Sequence, residues 1–314
     1  MRVIFMGTPR FAVPSLCHLV FEGYPVVAVY TRPDRPAGRG RSPLPPPVKT
    51  AALEGGLPVF QPAGLKEPAV IDQIVDLQPD FIVVAAYGQI LPPAVLEIPR
   101  LGCINIHPSL LPRYRGASPV PAAILNGDDF SGVTIMLMDA GLDTGPLLAQ
   151  AQLSLSPADT AGSLTEKLSR LAARMLPEVL SRRARGEITP HPQDEAKTTF
   201  TRPLTKEEGE LDWSHPALDI SRRVRAFRPW PGAYTHWRGK RLEIVAAAPL
   251  PSAAPGTAGQ VVALDRGDDD ITVGINTGAG VLGVLELKLE GRRALSAAEF
   301  ARGQRDFIGS TLPG

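Results

Sequence analysis

Asn105 and His107 stand two residues apart in Ile104-Asn105-Ile106-His107-Pro108, at the end of a short apolar run that reads as a β-strand. On a strand, that spacing sends both side chains to the same face. An amide N–H beside an imidazole can donate to a carbonyl oxygen as it becomes negative during acyl transfer. A histidine in such a run can equally be a core residue that donates to a backbone carbonyl. Asp143 lies in a second stretch, Met138-Asp139-Ala140-Gly141-Leu142-Asp143-Thr144-Gly145-Pro146, after the next strand. A carboxylate there could orient His107 or take up a proton. Asp among glycines is also ordinary turn chemistry. Taken one at a time, neither stretch separates catalysis from structure.

The elements around these residues must bring them together. Val3–Met6, Val26–Tyr30, Phe81–Ala86, Cys103–His107 and Val133–Met138 are short, rich in Val and Ile, and bounded by Gly, Pro or Asp. Continuous apolar runs of this kind fit strands buried on both faces. Candidate helices lie between them, around Val13–Phe21, Ala69–Leu77 and Pro119–Leu125. The alternation predicts an α/β domain with an open, mostly parallel sheet, and ligands in such sheets sit at the carboxyl ends of the strands. Leu164, Leu168, Leu171, Met175 and Val179 predict a longer helix, capped by Asp159 or Thr160. Residues 186–210 lack periodicity and read as a linker or an irregular wrapping segment. Beyond them a short helix near Ala217–Phe227 precedes runs at Arg241–Ala247, Gly259–Ala263, Ile271–Ile275 and Val281–Leu289. Strands at that spacing predict a small, OB-like β-barrel domain. The expected division is 1–188, a linker at 189–204, and 205–314.

Several function classes drop out. The first strand ends in Gly7-Thr8-Pro9 rather than Gly-x-Gly-x-x-Gly, which makes a dinucleotide-dependent dehydrogenase improbable, and no Gly-x-x-x-x-Gly-Lys-[Ser/Thr] occurs. Cys17 and Cys103 are too few for a disulfide framework or a zinc site, so no metal is expected. With 44% hydrophobic and 21% charged residues over 314 positions the composition is globular. No stretch approaches the ~18 apolar residues of a membrane span, and Met1-Arg2-Val3-Ile4-Phe5-Met6 opens no signal region. A cytoplasmic, membrane-free monomer is expected. Net charge is only +1, yet Arg222, Arg223, Arg225, Arg228, Arg238, Lys240 and Arg241 fall within 220–241 without an acid. Arg32, Arg35, Arg39 and Arg41 form a second cluster, opposed only by Asp34. Local basic patches on a neutral chain suit a polyanionic partner, or a solvated surface.

Asn105-x-His107, the Ser109-Leu110-Leu111-Pro112 loop and Leu142-Asp143-Thr144-Gly145 together resemble the folate-dependent formyltransferases. Gly7-Thr8-Pro9, the 32–40 stretch and Arg225-Ala226-Phe227-Arg228-Pro229-Trp230-Pro231 resemble those members that formylate initiator methionyl-tRNA. The resemblance runs from residue 2 to about 308, with its motifs in the family's order. It implies 10-formyltetrahydrofolate as formyl donor and initiator methionyl-tRNA as acceptor. It also implies catalytic roles for Asn105, His107 and Asp143, with His107 kept protonated by Asp143. Folate contacts are implied at Ser109, Leu110, Leu111, Pro112, Tyr87 and Leu91. The tRNA contacts implied are Arg35, Arg39, Arg41, Arg222, Arg223, Arg225 and Arg228. Pro108, where some relatives carry Gly, biases His107 toward extended backbone. The rival acceptor within the family is an amino sugar nucleotide or another small amine. A non-catalytic RNA-binding protein is the rival from outside it.

Overall fold

The structure is a computed structural model that describes residues 1–37, 42–250, 256–264 and 271–314. It divides into two compact units. The first comprises Met1–Pro119, Phe130–Ser154 and Thr165–Thr201; the second comprises Val120–Asp129, Leu155–Leu164 and Arg202–Gly314.

A seven-stranded sheet organises the first unit. From one edge its strands are Leu147–Ser154, Phe130–Leu137, Cys103–His107, Phe81–Ala85, Val3–Gly7, Val26–Tyr30 and Val59–Phe60. The last five are mutually parallel and the first two pair antiparallel. The Val, Ile and Phe side chains of Val3–Met6 and Phe81–Ala85 are buried on both faces, as continuous apolar runs require. The parallel strand order changes direction between Val3–Gly7 and Phe81–Ala85, with His107 ending the next strand over. That is the crevice position of open α/β sheets.

Two strands were not contained in the periodicity. Leu147–Ser154 alternates Ala and Leu with Gln, weak strand formers whose place is at an edge. Val59–Phe60 is only two residues long. The long helix runs Ala161–Ala184, and Thr160 caps it by accepting from the Ser163 N–H at 3.2 Å.

The second unit is built on a separate curled antiparallel sheet, a half-barrel. Its strand order is Ala233–Trp237, Lys240–Leu250, Val281–Leu289, Val273–Asn276, Val261–Ala263, with Leu295–Ser296 also on Val281–Leu289. Trp213, Ile220, Val224, Trp237, Phe300 and Phe307 pack with its inward-facing residues. The chain end links the two outer strands. Gln260 bridges Thr311, and the Pro313 carbonyl accepts from Thr235 Oγ1 at 2.7 Å. Among the described residues, no helix is long and apolar enough to cross a membrane.

Candidate active site

His107 is the last residue of its strand and is only 4% exposed. Its Nε2 lies 2.9 Å from the Tyr114 carbonyl oxygen. A carbonyl can only accept, so Nε2 carries the hydrogen and the ring's orientation is fixed. That leaves Nδ1 as the nitrogen free to exchange a proton, and it faces Asp143 Oδ2 at 3.6 Å. The other carboxylate oxygen, Oδ1, accepts from Asn105 Nδ2 at 3.2 Å. The two side chains that share a strand face thus converge on one carboxylate. The backbone N–H of Gly116 donates to Asp143 Oδ2 at 2.9 Å.

Both readings of the histidine hold together: it is buried and bonded to a carbonyl, and it is poised beside a carboxylate. Burial lowers the imidazole pKa from its ordinary 6.5, outweighing the support of Asp143 and of the Tyr114 carbonyl. Burial thus works against the protonated form, while Asp143, which faces Nδ1, works for it.

Local sequence explains how Asp143 reaches this place. Its φ of 54° is left-handed, a region Asp tolerates in turns. Gly145 follows because a Cβ there would lie 1.9 Å from the Leu137 carbonyl oxygen. Gly116 has φ 107°, and a Cβ on it would meet the Thr201 carbonyl at 2.2 Å. Only glycine can bring its N–H onto Asp143 there.

The Ser109–Pro112 loop is held by neighbouring strands. Thr134 Oγ1 donates to the Ser109 carbonyl at 2.7 Å and accepts from the Leu111 N–H at 3.1 Å. Gln150 Nε2 donates to the Leu111 carbonyl at 2.8 Å, and Ser109 Oγ to the Arg113 carbonyl at 2.6 Å. Leu111 is buried, while Leu110 and Pro112 are half-buried. Tyr87 and Leu91 belong to a core cluster under the strand ends. The Tyr87 hydroxyl is buried with no hydrogen-bond partner among the described residues, and burial pushes its pKa up to about 12. Thr134, Gln150 and Gln193 were missed by sequence reading, because bonds from side chain to backbone leave no periodic signal.

The arginines are less uniform than their count implies. Arg222 lies 3.5 Å from Asp219, and Arg225, half-buried, donates to the Asp159 carbonyl at 3.0 Å. Burial lowers the Arg225 pKa, and the nearby Arg222 lowers it further. Arg223 is half-buried, and Arg228 is exposed with a contact to the Val245 carbonyl at 3.2 Å. Arg35 is exposed in a two-stranded pairing of Arg35–Ala37 with Ser42–Leu44. Arg39 and Arg41 lie outside the described residues. Among the described residues, no group of three or more His, Cys, Asp or Glu could hold a metal ion.

Residues 1–180 match the formyl transferase family, and residues 203–305 match the formyl transferase C-terminal domain. The chain belongs to the formyl transferase family. It is 51% identical over 303 residues to a methionyl-tRNA formyltransferase of Chloroflexus aggregans, covering 96% of this chain and 97% of that one. Two solved structures share the fold. HypX from Aquifex aeolicus, in complex with tetrahydrofolic acid, aligns at TM-score 0.63 and 20% identity over 98% of this chain and 48% of its own. An N-formyltransferase from Helicobacter canadensis, in complex with folinic acid and dTDP-3-aminofucose, aligns at TM-score 0.62 and 16% identity over 90% and 98%. Asn105, His107 and Asp143 all fall in the part of this formyl transferase that matches the N-terminal family region, and Arg222–Arg228 in the C-terminal one.

Proposed function

We propose that this formyl transferase moves the formyl group of 10-formyltetrahydrofolate to the α-amino group of initiator methionyl-tRNA. The observation that carries the chemistry is the convergence of Asn105 and His107 on the Asp143 carboxylate. The acceptor rests on the 51% identity to a protein of that name over 96% of the chain.

The residues support a direct transfer. The free-base amine attacks the formyl carbon, forming the new C–N bond and an oxyanion. Asn105 has two amide hydrogens; one is on Asp143, and the second is available to the oxyanion. Neutral His107 takes the proton that the amine sheds, at Nδ1, and the cation so formed is stabilised by Asp143 3.6 Å away. When the oxyanion collapses, the bond to the folate nitrogen breaks and that nitrogen receives the proton from Nδ1. The products are N-formylmethionyl-tRNA and tetrahydrofolate, with every proton accounted for.

In this reading residues 1–188 hold the folate and the catalytic side chains, with folate contacts at 109–112 and near Tyr87 and Leu91. Residues 205–314 hold tRNA after a connecting stretch at 189–204, and the 32–41 arginines serve the acceptor end. The experiment is formyl transfer to charged initiator tRNA against transfer to a free amino sugar nucleotide, the kind of molecule bound in the Helicobacter canadensis complex. Transfer only to the sugar overturns the tRNA reading, and transfer to neither overturns the reaction.

A further inference from the structure

Gln193 lies in a stretch without regular secondary structure, 50 residues along the chain from Asp143. Its side-chain amide nevertheless grips the turn that carries this carboxylate. Nε2 donates to the carbonyl oxygens of both Asp143 and Gly145, each at 2.8 Å. Those carbonyls directly follow the left-handed Asp143 backbone at φ 54°, from which the carboxylate faces His107 and Asn105. The other end of the amide is fixed as well. Oε1 accepts from Arg115 Nε at 3.0 Å and Nη2 at 2.8 Å.

Arg115 is buried, with only 2% of its side chain exposed, and Glu195 pairs with it at 2.7 Å. A buried guanidinium with its donors occupied is a stiff anchor, because breaking any of those bonds leaves a buried charge unsatisfied. The next residue, Gly116, supplies the N–H on Asp143 Oδ2. The 115–116 backbone is in turn clamped by a parallel pairing with Phe200 and Thr201. The result is a closed ring, from Asp143 through Gln193, Arg115 and Gly116 back to Asp143. It holds the aspartate by its main-chain carbonyl and by its carboxylate.

We propose that Gln193, braced by Arg115, is a positioning residue that sets Asp143 against His107 and Asn105 for proton transfer. This rests on the formyl-transfer reading above.

Gln193→Glu and Gln193→Met in the full chain provide the test. Both lack the amide hydrogens that hold the Asp143 and Gly145 carbonyls. They differ at Arg115, where the glutamate keeps and strengthens the pairing and methionine removes it. A positioning role predicts that kcat falls in both, by about 10- to 100-fold, since small misplacements of reacting groups cost that much. KM for folate and for methionyl-tRNA should stay near wild type, and the melting temperature of Gln193→Glu should hold. A role confined to bracing Arg115 predicts the opposite pattern, with Gln193→Glu normal and only Gln193→Met impaired through instability. Wild-type kcat in Gln193→Glu, alongside a crippled Asp143→Asn, overturns the proposal and leaves the reaction standing. Should Gln193→Glu not fold, wild-type kcat in Gln193→Met overturns it as well. If the wild-type protein formylates no methionyl-tRNA, the reading of the reaction falls and the positioning role with it.

Discussion

The strand end at Asn105–His107 and the helix at Ala217–Ala226 each gather reactive or charged residues at short spacing, but the fold uses them differently. At the first, a backbone carbonyl fixes the imidazole and a half-buried carboxylate collects two side chains and an N–H, so residue identity and geometry agree. At the second, Arg222 is beside an acid, Arg225 is half-buried on the Asp159 carbonyl, and Arg228 touches the Val245 carbonyl but stays exposed, which leaves Arg228 and the half-buried Arg223 as the side chains best placed to meet a partner. A catalytic constellation works through the bonds its members make inside the protein. A basic surface works only through the bonds its members have left to make. Counting charges along a sequence therefore overstates a binding face.

The largest expected effect falls on the strand end. His107→Ala removes the base, and general acid–base groups contribute about 10²–10⁴-fold. Formylation rates of the purified variant should drop by that order, while its stability falls by no more than the loss of the Tyr114 carbonyl's partner explains, about 1–3 kcal/mol. Near-wild-type turnover would return His107 to a structural role and erase the contrast between the two regions.

Asp143→Asn should act more weakly, about 10- to 100-fold on kcat, because the base itself remains. Its signature is in pH. The active imidazole is the neutral one, so the rate rises with pH through the His107 pKa, which burial already holds below 6.5. Asp143 opposes that lowering, and its removal should move the acidic limb to still lower pH. A limb that moves upward, or stays in place, would show that the carboxylate does not act on the imidazole.

Much of this was legible beforehand, for physical reasons that also mark where legibility ends. Val13–Phe21, Val26–Tyr30 and Val281–Leu289 stand where hydrophobic pattern and turn residues place them, since each buries a stretch whose period is written in the chain. Asn105 and His107 share a face because a strand has period two. Asp143 was legible as a partner for His107, but what holds it there was not, because its placement depends on Gly116 and Gln193, whose bonds are made across the fold by groups with no pattern around them. The charge balance at His107 was not legible either. A sequence shows which charge is near a histidine, and the fold decides how much water it loses. In the second unit, Ala233–Trp237 and the helix Ala297–Gly303 were missed because neither is a continuous apolar run: polar Thr235 and His236 interrupt the strand, and the helix is only seven residues long.

Arg225→Ala sharpens the comparison from the side of stability. It leaves the Asp159 carbonyl without its guanidinium donor. A hydrogen bond from a charged donor contributes about 1.5–3 kcal/mol at most, so the urea midpoint should fall measurably while kcat at saturating tRNA changes little. A variant as stable as wild type but weaker for tRNA would place Arg225 with Arg223 and Arg228 after all.

The smallest effect belongs to Arg223 and Arg228. If they meet phosphates, each contact releases counterions, and the log–log slope of tRNA affinity against salt falls by about 0.7–0.9 per contact removed. Arg223→Ala combined with Arg228→Ala should therefore flatten the salt dependence and weaken binding most at low ionic strength. Transfer at saturating tRNA should be unaffected, because the reacting groups are Asn105, His107 and Asp143. The measurement is formylation rate against tRNA concentration at several salt concentrations, with tetrahydrofolate affinity as a control. Arg222→Ala is the informative companion. Its guanidinium lies 3.5 Å from Asp219 and fills the space above Gly127, so its loss should change the salt slope less than the loss of Arg223 or Arg228. Equal slopes for all three variants would mean that the helix acts through its overall field, and that the internal bonds of its arginines do not decide which of them reach RNA.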